Sequence, residues 1–243
     1  MSTQEVTDAY VGRTTFALDI ETAPDPDLVE AVLASPPTFK APANYKDAEK
    51  ISANLAKQRS EWEEKVRGKA GLTPLRGRVV AFALVSGEDG EKVTSINLQT
   101  TEGDERSLLV TLAEELAEAE TLITFNGHSF DAPFVRLRML RHGIKPPRIL
   151  RAGRRYSNHP HFDVRMVLTD WDTRAEGTLE VFARFMLGAV PPDVPSPFTG
   201  LPISGGEVAE LVEQGAYGTI SDKCVRDTRM TWTLARRLME MIR

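Results

Sequence analysis

Strand-like runs that alternate with segments of helical period constrain this chain more than any other feature. Thr14–Thr22 begins as an apolar run and ends in carboxylates, and Arg78–Val85 is a β-rich run stopped by the turn signal Ser86–Gly90. Lys92–Leu98 alternates Val93, Ser95 and Asn97 with Thr94, Ile96 and Leu98, which completes a hairpin, and Thr121–Asn126 reads as a further strand ending at Gly127. Leu108, Leu109, Leu112, Leu116 and Ala119 recur at helical spacing, as do Phe134, Leu137 and Leu140 in a helix that stops near Gly143 and Pro146. His161–Val167 reads as a short strand running into a turn. Leu179, Phe182, Phe185 and Met186 mark a helix ended by Gly188, and Val208, Leu211 and Val212 a short one before Gly215. Five prolines between Pro191 and Pro202 imply a rigid loop, and Ser221–Ile242 closes the chain as a helix. Strands and helices mixed in this way around one sheet indicate an α/β fold and a single domain over residues 1–243.

An insertion from about Pro36 to Gly77 separates the first two strands. Its middle, Asp47–Lys69, is polar and helix-prone, and Lys40–Arg78 holds ten Lys and Arg against five Asp and Glu. It reads as a helical excursion rather than a domain. At 243 residues and 41% hydrophobic the chain has an ordinary globular composition, which excludes a mainly disordered protein. The single cysteine, Cys224, excludes an internal disulfide framework and a cysteine-rich zinc site. Met1–Thr14 lacks the basic and apolar regions of a signal peptide, and no apolar run approaches membrane-spanning length, so a soluble, cytoplasmic protein without membrane partners is expected.

Charge is unevenly spread. Ala132–Pro160 carries eight basic residues and no acid; with a total of −5, the remainder carries −13. Such a basic arm, with Arg151, Arg154 and Arg155 at its end, suits phosphate contacts. A solvated basic helix face explains it equally well on charge alone.

Asp19 and Glu21 are the first chemical clue. Residues i and i+2 of a strand share a face, roughly 6–7 Å apart at the Cα. Two carboxylates there repel one another unless something positive lies between them, and hard oxygens suit magnesium or manganese. A solvated strand end is the alternative. Asp131, after Asn126-Gly127-His128-Ser129-Phe130, sits where a helix opens and could equally cap it. Asp227 lies within the last helix, an ordinary place for a solvated acid. His159, His161 and Asp163 offer a weaker metal cluster. Asp163 is better read as support for the site, His128 as an exposed loop residue, and Cys224 as a small helix residue near the core.

Taken in order over strand, strand–helix junction and late helix, Asp19-Ile20-Glu21-Thr22, Asn126–Asp131 and Lys223–Asp227 resemble the three motifs of the DEDD exonuclease superfamily. The resemblance is to free-standing 3′–5′ exonucleases, many from phages, related to the proofreading domain of family-B DNA polymerases. It extends to His161-Phe162-Asp163-Val164, to Gly177–Gly188 and to Gly205–Gly215. One position departs: the family places Tyr four residues before the third-motif Asp, or His five before, where this chain has Lys223 and Asp222.

This resemblance implies a ribonuclease H-like mixed sheet flanked by helices, with the helical insertion between its first two strands. It implies two divalent ions, Mg²⁺ or Mn²⁺, held by Asp19, Glu21, Asp131 and Asp227, and release of 5′-nucleotides from the 3′ end of single-stranded DNA. Asn126 and Phe130 then position the terminal nucleotide, and Lys223 donates to the attacking water or the scissile phosphate. The sequence contains no polymerase domain, so any proofreading would serve a polymerase in trans. Two other readings are a nucleic-acid-binding accessory module with weakened catalysis, which the changed Tyr position favours, and a ribonuclease of the same fold.

Overall fold

A computed structural model of the protein describes residues 14–100, 103–152 and 156–241. The chain divides into two compact units: Thr22–Arg78, and the described residues on either side of that segment.

The larger unit is built on a five-stranded sheet of β1 (Thr15–Pro24), β2 (Gly77–Ser86), β3 (Lys92–Asn97), β4 (Thr121–Thr124) and β5 (His161–Asp163), in the order β3-β2-β1-β4-β5. β2 and β3 form the expected antiparallel hairpin, with Ala81 opposite Asn97 and Ser86 opposite Lys92. β4 pairs in parallel with β1 (Thr15 opposite Thr121) and with β5 (Thr124 opposite Asp163). The sheet is therefore mixed, and the fold is α/β as the sequence indicates. Val79–Val85 and all of β4 are buried, which is why these strands read as continuous apolar runs and not as alternating ones.

Two helices belong to the smaller unit, α1 (Pro26–Leu33) and α2 (Ala48–Gly68). The larger unit contains α3 (Glu105–Glu115), α4 (Asp131–Arg141), α5 (Ile149–Ala152), α6 (Val164–Leu168), α7 (Leu179–Leu187), α8 (Val208–Glu213) and α9 (Tyr217–Met241). α7 ends at Gly188, whose φ of 74° is the left-handed conformation that glycine adopts without strain. α7 and α9 close over the sheet: Ala183, Met230, Leu234 and Leu238 form one buried core with Ala17, Ile123 and Phe162 of the strands. In the smaller unit, Asp47 caps α2 by accepting from the Glu49 and Lys50 N–H groups, and Trp62 packs beside Val29, Val66 and Ala70. Among the described residues no helix is long and apolar enough to cross a membrane.

Three differences from the sequence reading have physical causes. α1 was not expected, although Asp25 accepts from the Leu28 N–H and Pro26 follows it, a recognisable helix start. The segment after β5 is a helical turn, α6, because the Asp163 carboxylate caps it through the Met166 N–H. Third, Arg138 does not belong to a surface basic arm. It is 1% exposed, and its guanidinium is held by Glu105 with Nη2 2.5 Å from Oε2. Glu105 also accepts from the Val79 N–H at 2.8 Å and bonds His142 Nε2 at 2.8 Å, so one carboxylate ties α3, α4 and β2 together.

Arg138→Ala leaves Glu105 buried without its cation. It should therefore lower stability by about 3–5 kcal/mol in denaturant unfolding. Arg136→Ala, two residues away on the same helix, should stay within about 0.5 kcal/mol of wild type.

Candidate active site

β1 and α9 carry the site. Asp19 and Glu21, two residues apart, point to one side of β1. On α9, Lys223 and Asp227 lie one turn apart and share a face. Ligand-capable oxygens of Asp19, Glu21 and Asp227 all lie within 4.8 Å of one another. Lys223 Nζ sits among them, 2.5 Å from Glu21 Oε1 and 3.0 Å from Asp227 Oδ2. Cys224 is fully buried as expected, and its thiol donates to the Asp19 carbonyl at 3.4 Å. Asp227, which in isolation reads as a solvated helix acid, is buried.

These acids are held in a hostile setting. Burial raises the Asp19 carboxyl well above its ordinary range; Asp131 and Glu21 add to the rise, Lys223 opposes it, and Asp227 adds again. Burial also raises Glu21, against the charge and hydrogen bond of Lys223. Asp131, the first residue of α4 and 4% exposed, is pushed up to about 7, mainly by burial and despite backbone hydrogen bonds from its own N–H and that of Ile20. Burial alone would lower the Lys223 ammonium, but Glu21, Asp19 and Asp227 hold it charged and raise it. Among the described residues Glu21 and Asp227 have basic partners, whereas Asp19 and Asp131 form no ion pair. Hard carboxylate oxygens, partly buried and incompletely neutralised, are a donor set that fits a divalent cation.

The loop between β4 and α4 is clamped from β5. Asp163 accepts from the Asn126 N–H at 2.8 Å through Oδ1 and from the His128 N–H at 2.9 Å through Oδ2. Asn126 adopts φ 67°, a left-handed conformation that Asn tolerates better than most residues. Gly127 follows against Thr124, where a Cβ would lie 2.3 Å from the threonine Oγ1. Phe130 occupies the position before α4, its ring 5.5 Å from that of Phe134.

Other sequence candidates are dispersed. Arg151 is exposed on α5 and lines a groove of about 470 Å³ with Arg136 and Lys145. Arg154 and Arg155 lie outside the described residues. Among the described residues the only three-residue group of potential ligands that converges is Asp19, Glu21 and Asp227, so His159, His161 and Asp163 do not form a metal cluster. His161 is buried against Thr124 Oγ1 at 2.7 Å, and burial lowers it to about 3. His128 is half-buried with its ring stacked on that of His161, not an exposed loop side chain.

Sequence reasoning missed Arg226. It bonds Asp227 Oδ1 at 2.6 Å, Glu180 at 3.3 Å and Asp193, and donates to the Pro191 and Pro192 carbonyls. The proline-rich loop is thereby fastened beside the carboxylates. Adjacent Arg–Asp pairs are too common on helices to signal this in advance.

The family model described as "Predicted 3'-5' exonuclease related to the exonuclease domain of PolB" matches residues 73–242, a span that includes Asp131, Lys223 and Asp227 but not β1. Among solved structures, the family B DNA polymerase from the hyperthermophilic archaeon Pyrobaculum calidifontis is similar, with a TM-score of 0.55 at 18% identity. The similarity covers 92% of this chain and 24% of the polymerase, so the chain spans about a quarter of that protein. No curated protein matches the chain.

A carboxyl that binds its proton more tightly folded than unfolded stabilises the fold fully below its ordinary value. That contribution is lost as pH rises through the folded value, about 7 for Asp131. His161, buried neutral, acts in the opposite direction on the acid side, so the informative quantity is a difference between proteins. In chelator, the melting temperature of Asp131→Asn should gain on wild type between about pH 5 and about pH 8. Parallel curves would mean that Asp131 is not buried in this way.

Proposed function

We propose that this chain, which belongs to the family of predicted 3′–5′ exonucleases related to the exonuclease domain of PolB, is a divalent-metal-dependent nuclease that removes 5′-nucleotides from the 3′ end of single-stranded DNA. The observation that carries this reading is the convergence of Asp19 and Glu21 of β1 with Asp227 of α9 within 4.8 Å. Asp131 faces Asp19 closely enough to raise it, although it lies outside that convergent group.

In this reading Asp19, Glu21, Asp131 and Asp227 hold two ions, Mg²⁺ or Mn²⁺. Bound there, the ions supply Lewis-acid activation of water and stabilisation of the leaving oxygen. The remaining work falls to the chain's own side chains. The charged Lys223 ammonium cannot accept a proton from water. It can donate to the attacking water or to a scissile phosphate oxygen, where negative charge builds in the transition state. It stands where related enzymes place a tyrosine hydroxyl, so a polar donor is retained. Asn126 and Phe130 position the terminal nucleotide, the latter by stacking or by packing the loop. Arg151, with Arg154 and Arg155 on charge alone, guides the strand through its phosphates. Residues 1–243 serve as one exonuclease domain with an insertion, acting in the cytoplasm on strand ends that a DNA polymerase also uses.

A second reading, a nucleic-acid-binding module with weakened catalysis, is favoured by one observation. Lys223, at the position where the resemblance expects Tyr, forms ion pairs with both Glu21 and Asp227 and so lowers the acidic charge left for a cation. End-labelled single strands separate the two. An exonuclease gives Mg²⁺- or Mn²⁺-dependent shortening to mononucleotides; a binding module retains the strand intact. A preference for RNA over DNA strands would identify the ribonuclease alternative.

Asp19→Asn should abolish this hydrolysis while leaving the fold intact, and should remove the rise in melting temperature that Mg²⁺ or Mn²⁺ gives wild type. Retained activity in a clean preparation would remove the carboxylates from the chemistry. At saturating metal, Lys223→Ala should slow single-turnover cleavage by ~10²–10³-fold, the usual cost of losing one transition-state donor. Lys223→Tyr should keep or raise the rate. If Lys223→Ala matches wild type there, the lysine has no catalytic part.

A further inference from the structure

A second concave site lies on the β5 side of the same loop, in the larger unit. It is a cavity of about 550 Å³, within the usual size of a small-ligand pocket. Its walls include a chain of rings. His128 stacks on His161 with centroids 4.0 Å apart and 29° between planes. Trp171 stands 5.2 Å from His128, and Tyr156 stands 5.4 Å from Trp171. Arg136 lines the same cavity and also the neighbouring basic groove beside Lys145 and Arg151, and among the described residues it forms no ion pair.

Three further features set this place apart from an incidental hollow. Tyr156, Asp170 and Trp171 have φ of 62°, 48° and 63°; with Asn126 they are the only described non-glycine residues in the left-handed region. Bulky aromatic residues are rarely held there, and such backbone strain gathers at binding sites. Tyr156 is 77% exposed despite its aromatic ring, so one end of the ring chain is open to a ligand. His128 Nε2 is buried without a hydrogen-bond partner among the described residues, a kind of unsatisfied group that calls for an explanation.

Flat rings that can stack on a planar group, in a cavity that is also lined by a guanidinium with no ion pair among the described residues, match one chemical class. We infer that this cavity binds an unpaired nucleotide, its base against Trp171, His128 and Tyr156 and its phosphate at Arg136. Base–aromatic stacking is sequence-tolerant, which suits a site that receives whatever base the strand presents. Arg136 joins the cavity to the Arg151 groove, so successive phosphates of one strand have a continuous basic path. The inference rests on the exonuclease reading only for the identity of the strand. A nucleotide of that strand and one free in solution present the same base and phosphate to the cavity.

The test uses the unaltered chain in EDTA, so that no hydrolysis is involved. Two probes are titrated: 2-aminopurine deoxyribonucleoside 5′-monophosphate, and single-stranded oligonucleotides with one 2-aminopurine at successive positions. Saturable quenching is expected. A maximum at one internal position of the strand, stronger than with the free nucleotide, assigns the cavity to the strand; equal or stronger binding of the monophosphate assigns it to free nucleotide. Trp171→Leu should weaken that binding about tenfold and Trp171→Phe should restore it. Arg136→Gln should also weaken it and lower its salt slope by about one. Quenching and affinity unchanged in Trp171→Leu and Arg136→Gln, for strand and monophosphate alike, overturn the inference, as does the absence of saturable quenching. Hydrolysis, measured separately, keeps the two readings apart. Absence of Mg²⁺- or Mn²⁺-dependent shortening by the unaltered chain defeats the exonuclease reading, and hydrolysis retained in Asp19→Asn defeats only the carboxylate assignment, while the cavity stands or falls on quenching alone.

Discussion

Carboxylates withdrawn from water within an otherwise apolar strand are the constraint around which the larger unit is organised. Asp19, Glu21 and Asp227 would repel one another at this separation, and burial raises the cost of keeping them charged. The fold meets that cost by bringing α9 close enough to β1 for Lys223 to reach Glu21 and Asp227. Close approach needs small side chains on the contacting face of the helix. Cys224 and Thr228, both fully buried, supply them, and the Cys224 thiol bonds the Asp19 carbonyl directly. A bulkier residue at either position would lift α9 and withdraw the ammonium from the acids.

The parallel register of β4 and β5 does similar work on the other side of the site. Pairing Thr124 with Asp163 places the Asp163 carboxylate beside the first backbone N–H groups that leave β4. Its two oxygens then hold Asn126 and His128, and Oδ1 also caps α6 through Met166. One buried acid thus fixes the end of a strand, the shape of a loop and the start of a helix. Asp131 opens α4 immediately beyond that loop, and the His128 ring is turned onto His161 by the same anchoring. The aromatic cavity and the carboxylates are therefore set by a common backbone segment.

Much of this was legible in the sequence because it depends on periodicity and on local signals. The hairpin of β2 and β3, the glycine stop of α7 and the face shared by Lys223 and Asp227 all follow from spacing alone. The order of the three acidic motifs along the chain carried the family resemblance, and the mixed sheet was legible only as what that resemblance implies. What stayed hidden depends on partners distant in sequence. Arg138 has the spacing of a surface arginine, and Glu105, thirty-three residues away, holds it inward. His128 looks like a loop residue until His161 and Trp171 are brought beside it. Arg226 gave no sign that it would grip a proline-rich loop whose residues lie more than thirty positions earlier.

That grip bears on how Asp227 can serve a cation. Its Oδ1 accepts from Arg226 and its Oδ2 from Lys223, so both oxygens are already engaged. An ionised carboxylate offers about four lone-pair sites, however, so two donors orient the group without exhausting it. Arg226 is itself braced by Glu180 and Asp193, which makes the orientation of Asp227 a property of α7 and the proline-rich loop as much as of α9. Among the described residues the Lys223 ammonium bonds only acids of the site, Glu21 and Asp227. A cation that entered among Asp19, Glu21 and Asp227 would meet the Lys223 ammonium, which already bonds two of those acids, rather than the braced arginine. The division of labour is physical. One basic residue fixes the orientation of the Asp227 carboxylate, and the other supplies the positive charge that Glu21 and Asp227 share.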